Sequence, residues 1–425
     1  MGLGERPYNF IDLFAGAGGL SEGFVQAGFS PVAHIEMSPF AAKTLETRSA
    51  YYYLREAGRL STYYDYLKGN ITRDQMMEGI PEDRIKSVIC ETMSDKTLPG
   101  LFLQIDSLLE ERELSSVDVV IGGPPCQAYS LVGRAQSKHM ETPMALDPRN
   151  DLYKLYIKFL ERYRPKMFVF ENVMGIQSAN GGQTWASIQE AMRDAGYEII
   201  CQEQNARRFG VLQNRRRMII VGWLQGSGLG CPELKEITYN AKVWDILDDL
   251  PALHPGESAS EYKSDEISAY MTETGLRTLD DVLTLHVSRP NKERDVQIYK
   301  KAIELWGEGK RLNYNDLPEE LKTHKNRSSF IDRFKVVEGN DAYCHTMLAH
   351  ISKDGHYFIH PDIAQHRSIT VREAARIQSF PDSYFFEGPR TSQFVQIGNA
   401  VPPLMARAIA VGIAEILGRG GDHGK

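Results

Sequence analysis

The chain has 425 residues, 42% hydrophobic and 25% charged, a balance expected of a globular protein with one large domain or two ordinary ones. No apolar run reads as a membrane span, and the start MGLGERPYNF lacks the charged-then-apolar layout of a signal peptide. Five scattered cysteines without a C-x-x-C pair exclude a disulfide framework or zinc ribbon and point to a reducing cytoplasm. The net charge of −7 neither supports nor excludes a nucleic-acid partner, because Asn205–Arg217 gathers five arginines and no acid into a locally basic segment.

In chain order, short β-rich runs alternate with helical stretches, the pattern of a mostly parallel sheet covered by helices. The runs Tyr8–Leu13, Pro31–Ile35, Val117–Ile121, Met167–Phe170, Tyr197–Gln202 and Met218–Gly222 predict strands. Helices are predicted over Leu20–Ala27, Pro39–Glu46, Leu152–Arg162 and Thr184–Ala195. The tyrosine-rich segment 49–112 reads as an inserted helical lobe. From residue 226 Gly, Ser, Pro and acids accumulate, followed by a polar helix at Asp295–Trp306 and a β-like stretch over 342–362. The expected organisation is therefore a first domain over 1–225 and a smaller second domain over 226–366. A last segment, 367–425, carries the apolar-faced helix Pro403–Leu417.

The first strand runs into a glycine turn, FAGAGG, at the carboxyl edge where open α/β sheets bind ligands. Glu36, twenty residues after Gly16, ends the next strand and is placed to accept hydrogen bonds from ribose hydroxyls. The spacing G-x-G-G departs from the dinucleotide G-x-G-x-x-G, so S-adenosylmethionine suits this turn as well as NAD does. Taken alone, the pair also reads as a tight turn and a surface acid. Cys126 follows a buried strand behind two glycines and two prolines, which fix the turn that carries it. A lone cysteine is more often a small core residue; here its position at the ligand edge of the sheet favours a nucleophile, which must act as thiolate.

Five segments carry a resemblance: FIDLFAGAGGL, GGPPCQAYS, FENV, QNRRRMIIVG and QIGNAVPP, in this order from Phe10 to Pro403. Together they resemble the ordered motif set of the DNA cytosine-5 methyltransferases of prokaryotic restriction-modification type. The resemblance implies a Rossmann-like α/β sheet that uses S-adenosylmethionine and releases S-adenosylhomocysteine, with 226–366 as a target-recognition domain and the C-terminal helix returning to the first domain. It assigns Cys126 as the nucleophile that adds to C6 of a flipped cytosine, Glu171 as the acid at N3, and Arg215 and Arg217 as a pair of which one donates to O2. Arg217 is favoured for that role, and strand alternation puts Arg216 on the opposite face.

By the same likeness Phe14, Ala15, Gly16, Gly18, Gly19 and Leu20 form the cofactor turn, and Glu36 and Met37 flank the ribose or adenine. Gly123 and Pro125 shape the pocket, while Leu152, Asn399 and Ala400 complete the cofactor edge. Glu91 is a weak candidate for a further acid near the adenine. Gln127, Ser130, Arg134, Arg149, Gln213 and Thr346 are the expected DNA contacts, the last within an HTMLAH element. No metal is expected, since the histidines around Cys344 fit no zinc spacing. Double-stranded DNA is the expected partner of a monomer near the nucleoid, with a companion restriction endonuclease acting separately. The alternatives are an RNA cytosine-5 methyltransferase, a non-catalytic DNA-binding relative and an NAD-dependent oxidoreductase.

Overall fold

A computed structural model of the protein describes residues 7–125, 151–324, 327–328 and 330–420. Seven strands form one sheet: β1 (Asn9–Leu13), β2 (Ser30–Glu36), β3 (Val88–Cys90), β4 (Val119–Gly122), β5 (Met167–Asn172), β6 (Tyr197–Asn205) and β7 (Arg216–Leu224), in the spatial order β3-β2-β1-β4-β5-β7-β6. The first five run parallel, and β7 is inserted antiparallel between β5 and β6. The middle strands are near-continuous apolar runs because helices cover both faces. In β1, Ile11 and Leu13 enter one core cluster while Phe10 enters the other, on the opposite face.

Helix α1 (Gly19–Gln26) follows β1, and α2 (Pro39–Glu56) follows β2. The second outruns its expected end at Glu46 because Ala50, Tyr51, Tyr52 and Leu54 extend its buried face. The segment 49–112 is only partly the helical lobe expected from sequence. Short helices α3 (Leu60–Leu67), α4 (Arg73–Met77) and α5 (Glu82–Lys86) form a lobe around Tyr63, Met76 and Ile80. Beyond it, β3 pairs with β2 at the sheet edge, and α6 (Leu98–Glu111) buries Leu101, Ile105 and Leu108 against the sheet. A strand of three residues leaves almost no periodic trace in sequence, which is why this part of the sheet read as insertion. Helices α7 (Leu152–Tyr163) and α8 (Gln183–Asp194) complete the same face.

Between β7 and the C-terminal helices the chain has little regular structure beyond α9 (Ala269–Thr274) and α10 (Glu293–Gly307). The β-like stretch at 342–362 forms isolated bridges to Gln213, Val336 and Ser368 and a 3-10 turn at Ala349–Ser352. Its partners are therefore distant loops, and no ladder extends. Helix α11 (Val371–Ile377) is tied to this region by buried ion pairs: Arg376 bridges Asp249 and Asp382, and Arg367 grips Glu373. Helices α12 (Arg390–Asn399) and α13 (Pro403–Gly420) follow. The stretch Arg390–Gly418 is long and apolar enough for a membrane span by composition, contrary to the sequence reading, but most of it is buried within the protein. Helix α13 lies against α1, where a Cβ on Gly23 would sit 2.4 Å from the Ala406 Cβ, so glycine sets the closeness of that crossing.

Candidate active site

The carboxyl ends of β1, β2, β4 and β5 meet at one edge of the sheet. Strand β7, being antiparallel, begins there: Asn172 pairs with Met218 and Glu171 with Ile219. The reversal carries Arg217 to the Glu171 carboxylate, with Arg217 Nε 2.7 Å from Glu171 Oε1. Both side chains are nearly buried, at 11% and 12% exposure, so the pair is partly shielded from water and the contact counts for more than a surface ion pair. Arg217 also donates through Nη1 to the Arg216 carbonyl at 2.9 Å. Arg216 points the other way and pairs with Glu203, as alternation predicts.

The turn after β4 is pressed against this pair. A Cβ on Gly123 would lie 2.7 Å from Glu171 Oε2, and one on Gly122 would lie 2.3 Å from the Leu13 carbonyl oxygen. The two glycines therefore let the turn pass between β1 and Glu171. Asn172, which sequence reading did not single out although it sits in FENV, donates Nδ2 to the Pro124 carbonyl at 3.4 Å, while its Oδ1 accepts from Val173 N. Pro125, half-buried, is the last described residue of the turn. Cys126, Gln127, Ser130, Arg134 and Arg149 lie outside the described residues.

At the neighbouring edge, the turn after β1 has positive φ at Phe14, Gly16 and Gly18. Ala15 N donates to the Ile35 carbonyl, and the Glu36 carboxylate accepts from Gly16 N at 2.8 Å and Ser38 N at 2.7 Å. Burial raises the Glu36 pKa, and those backbone donors counter the rise. A Cβ at Gly16 would meet nothing within 4 Å, so the turn faces open space there. Met37 is 62% exposed, Asn399 is exposed, and Phe14 and Leu152 are half-buried against the core cluster of this face. Glu91, exposed at the end of β3, donates its N–H to the Glu36 carbonyl. Asp12, also missed by sequence reading, is 1% exposed with Oδ2 unpartnered. Burial first, and Glu36 second, push its pKa well above the usual carboxylate range. The Glu36 carboxylate, which already accepts from two backbone N–H groups beside this glycine turn, disfavours a pyrophosphate there.

Several of the expected site residues also pack against protein. Added Cβ atoms at Gly18 and Gly19 would lie 2.6 Å from Leu45 Cδ2 and 2.2 Å from the Val401 carbonyl oxygen. The Leu20 side chain is in the core with Phe24 and Leu404, because the helix that starts here turns it away from the edge. Gly123 faces Glu171 and Ala400 faces Gly19, so their close contacts are with protein. Gln213, read as a DNA contact, is fully buried; Nε2 donates to Gln378 Oε1 and the Ile377 carbonyl, and Oε1 accepts from Met347 N. Arg215, read as catalytic, is also fully buried and donates to the carbonyls of Met347, Gly398 and Ala400 at 2.7, 3.0 and 2.9 Å. Burial, with Arg217 nearby, lowers its pKa well below the usual arginine value. These bonds tie the start of β7 to the 347 and 398–400 segments. The Thr346 hydroxyl donates to the Asn214 carbonyl at 2.6 Å, which holds the HTMLAH element beside the same strand.

The profile of the family described as C-5 cytosine-specific DNA methylase matches residues 8–56 and 85–415. The type II methyltransferase M.Bpa9945I of Bacillus paralicheniformis is 42% identical over 445 aligned residues, covering 96% of this chain and 98% of its own. The type II methyltransferase M1.HphI of Haemophilus parahaemolyticus is 31% identical, with 96% of this chain and 87% of that relative covered. Among solved structures, one described as a DNA modification methyltransferase encoded within a prophage (E. coli) superposes with a TM-score of 0.62 at 21% identity, covering 97% of this chain and 99% of the other. That likeness supports the fold alone. The strand order, the Glu171–Arg217 pair and the full-length match converge, and the chain belongs to the C-5 cytosine-specific DNA methylase family.

Proposed function

We propose that this protein transfers a methyl group from S-adenosylmethionine to C5 of a cytosine flipped out of duplex DNA, with Cys126 as nucleophile. The observation that carries the reading is the Glu171–Arg217 pair pressed against the GGPP turn that leads to Cys126. The Cys126 thiol gives up its proton and the thiolate adds to C6. The ring electrons move toward N3, where Glu171 supplies a proton or hydrogen bond, and Arg217 donates to O2. Carbon 5 then takes the methyl group, its proton leaves to a base, and the C6–S bond breaks to release the thiolate.

Bound S-adenosylmethionine supplies an electrophilic methyl on sulfur. Phe14, Ala15, Gly16, Glu36, Met37, Leu152 and Asn399 would hold it, with Glu36 accepting from ribose hydroxyls through the lone pairs its backbone donors leave free. S-adenosylhomocysteine would leave from the same edge.

Residues 226–366 act as the target-recognition unit, and 367–420 return the chain to the catalytic sheet. Two relatives bear type II methyltransferase names, which supports a restriction-modification role; in that role the protein would act as a monomer on cytoplasmic, nucleoid-associated DNA, beside a separate endonuclease. The test is trapping: duplex DNA carrying 5-fluorocytosine at the methylated site should form a denaturation-resistant complex with the protein in the presence of S-adenosylmethionine, and the Cys126→Ala variant should form none. Methylation of duplex DNA without any such complex would overturn the mechanism, and methylation of tRNA in place of duplex DNA would overturn the substrate.

A further inference from the structure

The family profile skips residues 57–84, and these include α3, α4 and most of α5, the tyrosine-rich lobe. A lobe outside the shared core needs a reason, and its outward contacts supply one. Tyr63, fully buried, donates its hydroxyl to the Ser383 carbonyl at 2.7 Å. Tyr66 donates to Glu387 Oε1 at 2.8 Å and sets its ring edge-on to Phe385 at 5.7 Å. Glu387 Oε1 also accepts from Thr47 on α2 at 2.6 Å, and Arg73 of α4 stands 3.6 Å away. The lobe therefore holds the segment 383–387 on both sides of Tyr384.

Tyr384 is buried to 1% exposure, and its hydroxyl donates to the Ala17 carbonyl. Ala17 lies between Gly16, whose N–H is held by Glu36, and Gly18, whose Cβ position is 3.0 Å from the same tyrosine oxygen. The glycine turn is thus pinned from above by Glu36 and from below by Tyr384. Arg48 lies 4.8 Å over the Tyr384 ring and donates to the Ser383 carbonyl at 3.2 Å, while its ion pair with Glu22 anchors it to α1. No other described side chain donates to the Ala17 carbonyl.

We infer that Tyr384 is a positioning residue for the cofactor turn and that the 57–84 lobe is the brace that fixes it. The inference rests on the proposed binding of S-adenosylmethionine at that turn. A glycine turn with three positive φ angles samples other conformations readily, so a hydroxyl that fixes one carbonyl reduces the ordering the ligand must impose. Loss of one hydrogen bond acting in this way corresponds to an affinity change of about 3- to 10-fold.

The experiment compares Tyr384→Phe, the double variant Tyr63→Phe/Tyr66→Phe and Glu36→Ala in the full chain. Calorimetric titration with S-adenosylhomocysteine is run alongside KM for S-adenosylmethionine and for duplex DNA. Tyr384→Phe should weaken S-adenosylhomocysteine about 3- to 10-fold and raise KM for S-adenosylmethionine in step, with KM for DNA unmoved. The double variant should shift the same two quantities in the same direction, and Glu36→Ala should abolish binding. A merely structural tyrosine would lower the melting temperature while leaving both constants at wild-type values in the cold. If Glu36→Ala loses binding and Tyr384→Phe does not, the positioning role falls while the cofactor site stands. Tyr384→Phe moving without the double variant removes the lobe's part. If none of the three variants changes binding, the cofactor site itself is wrong and this inference goes with it.

Discussion

Glu171 and Arg217 show what a single contact decides. With Arg217 Nε at 2.7 Å and Gly123 closing its other side, the carboxylate is held in one place at the edge of the sheet. Replacing it by an amide keeps the shape and removes the transferable proton. Glu171→Gln should therefore lower the single-turnover rate of methyl transfer by roughly 10²- to 10⁴-fold, while S-adenosylhomocysteine affinity stays as in the wild type. A variant that methylates at the full rate would remove Glu171 from the chemistry. The place of Glu171 at the end of a strand was legible from the motif that contains it. The division of labour between the arginines was not, because alternation puts Arg215 and Arg217 on one face without saying which is enclosed. Arg215 is enclosed by three carbonyls from residues at least 132 positions away, and no local pattern carries that information.

Elements were legible to the extent that their periodicity was. Strands β1, β2, β4, β5, β6 and β7 were expected within a few residues of where they lie, since apolar runs of that length have few other readings. Strand β3 was not, and neither was the direction of β7. The glycine in QIGN illustrates a packing demand between elements: a Cβ at Gly398, near the end of α12, would sit 2.2 Å from the Ala349 backbone nitrogen. Backbone cannot yield as a flexible side chain does. Gly398→Ala should destabilise the protein by about 1–3 kcal/mol or more, read as a lowered midpoint in urea. It should also loosen the 347–349 segment, seen as faster amide exchange there. An unchanged midpoint would mean that α12 can shift away at no cost. Nothing in the sequence near QIGN predicts the approach of residue 349.

At the scale of the whole molecule, burial of ionisable groups couples stability to pH. His34 is shifted from the ordinary 6.5 to about 4 by burial, with Arg112 adding to the effect, and its Nδ1 has no partner. His360 is shifted from 6.5 to about 3, again by burial, although Glu373 opposes it. Both are lowered, so between pH 6.5 and about 4 the unfolded chain binds protons that the folded one refuses. The His34 contribution should fall across that window as acid is added, by about 3 kcal/mol by pH 4, while Asp12 and Glu36, whose raised pKa values let the folded chain keep their protons, act in the opposite direction. Burial would raise the Glu373 pKa, but Arg367 and His360 hold it far below the carboxylate range. Its contribution is complete above the unfolded value near 4.3 and is lost only in stronger acid. Urea titrations of the wild type and of His34→Asn at pH 7, 5.5 and 4 check the sign: the stability difference between them should turn against the wild type toward pH 4, and a difference that does not change with pH would contradict it.

The order of motifs along the chain by itself determined the family and the sheet class and pointed to Cys126 and Glu171 as the proposed nucleophile and acid, because covalent attack on a pyrimidine needs few residue types and these stand in short runs whose identity is local. Tertiary structure alone decided which arginine meets Glu171, which glycines are closed in by neighbouring atoms, and what the tyrosine lobe holds. The physical reason is that each of these depends on what approaches from a distant part of the chain: a reversed strand for Arg217, Val401 for Gly19, Ser383 for Tyr63. Such approaches are set by how layers stack, and stacking is a property of the assembled core that no window of sequence contains.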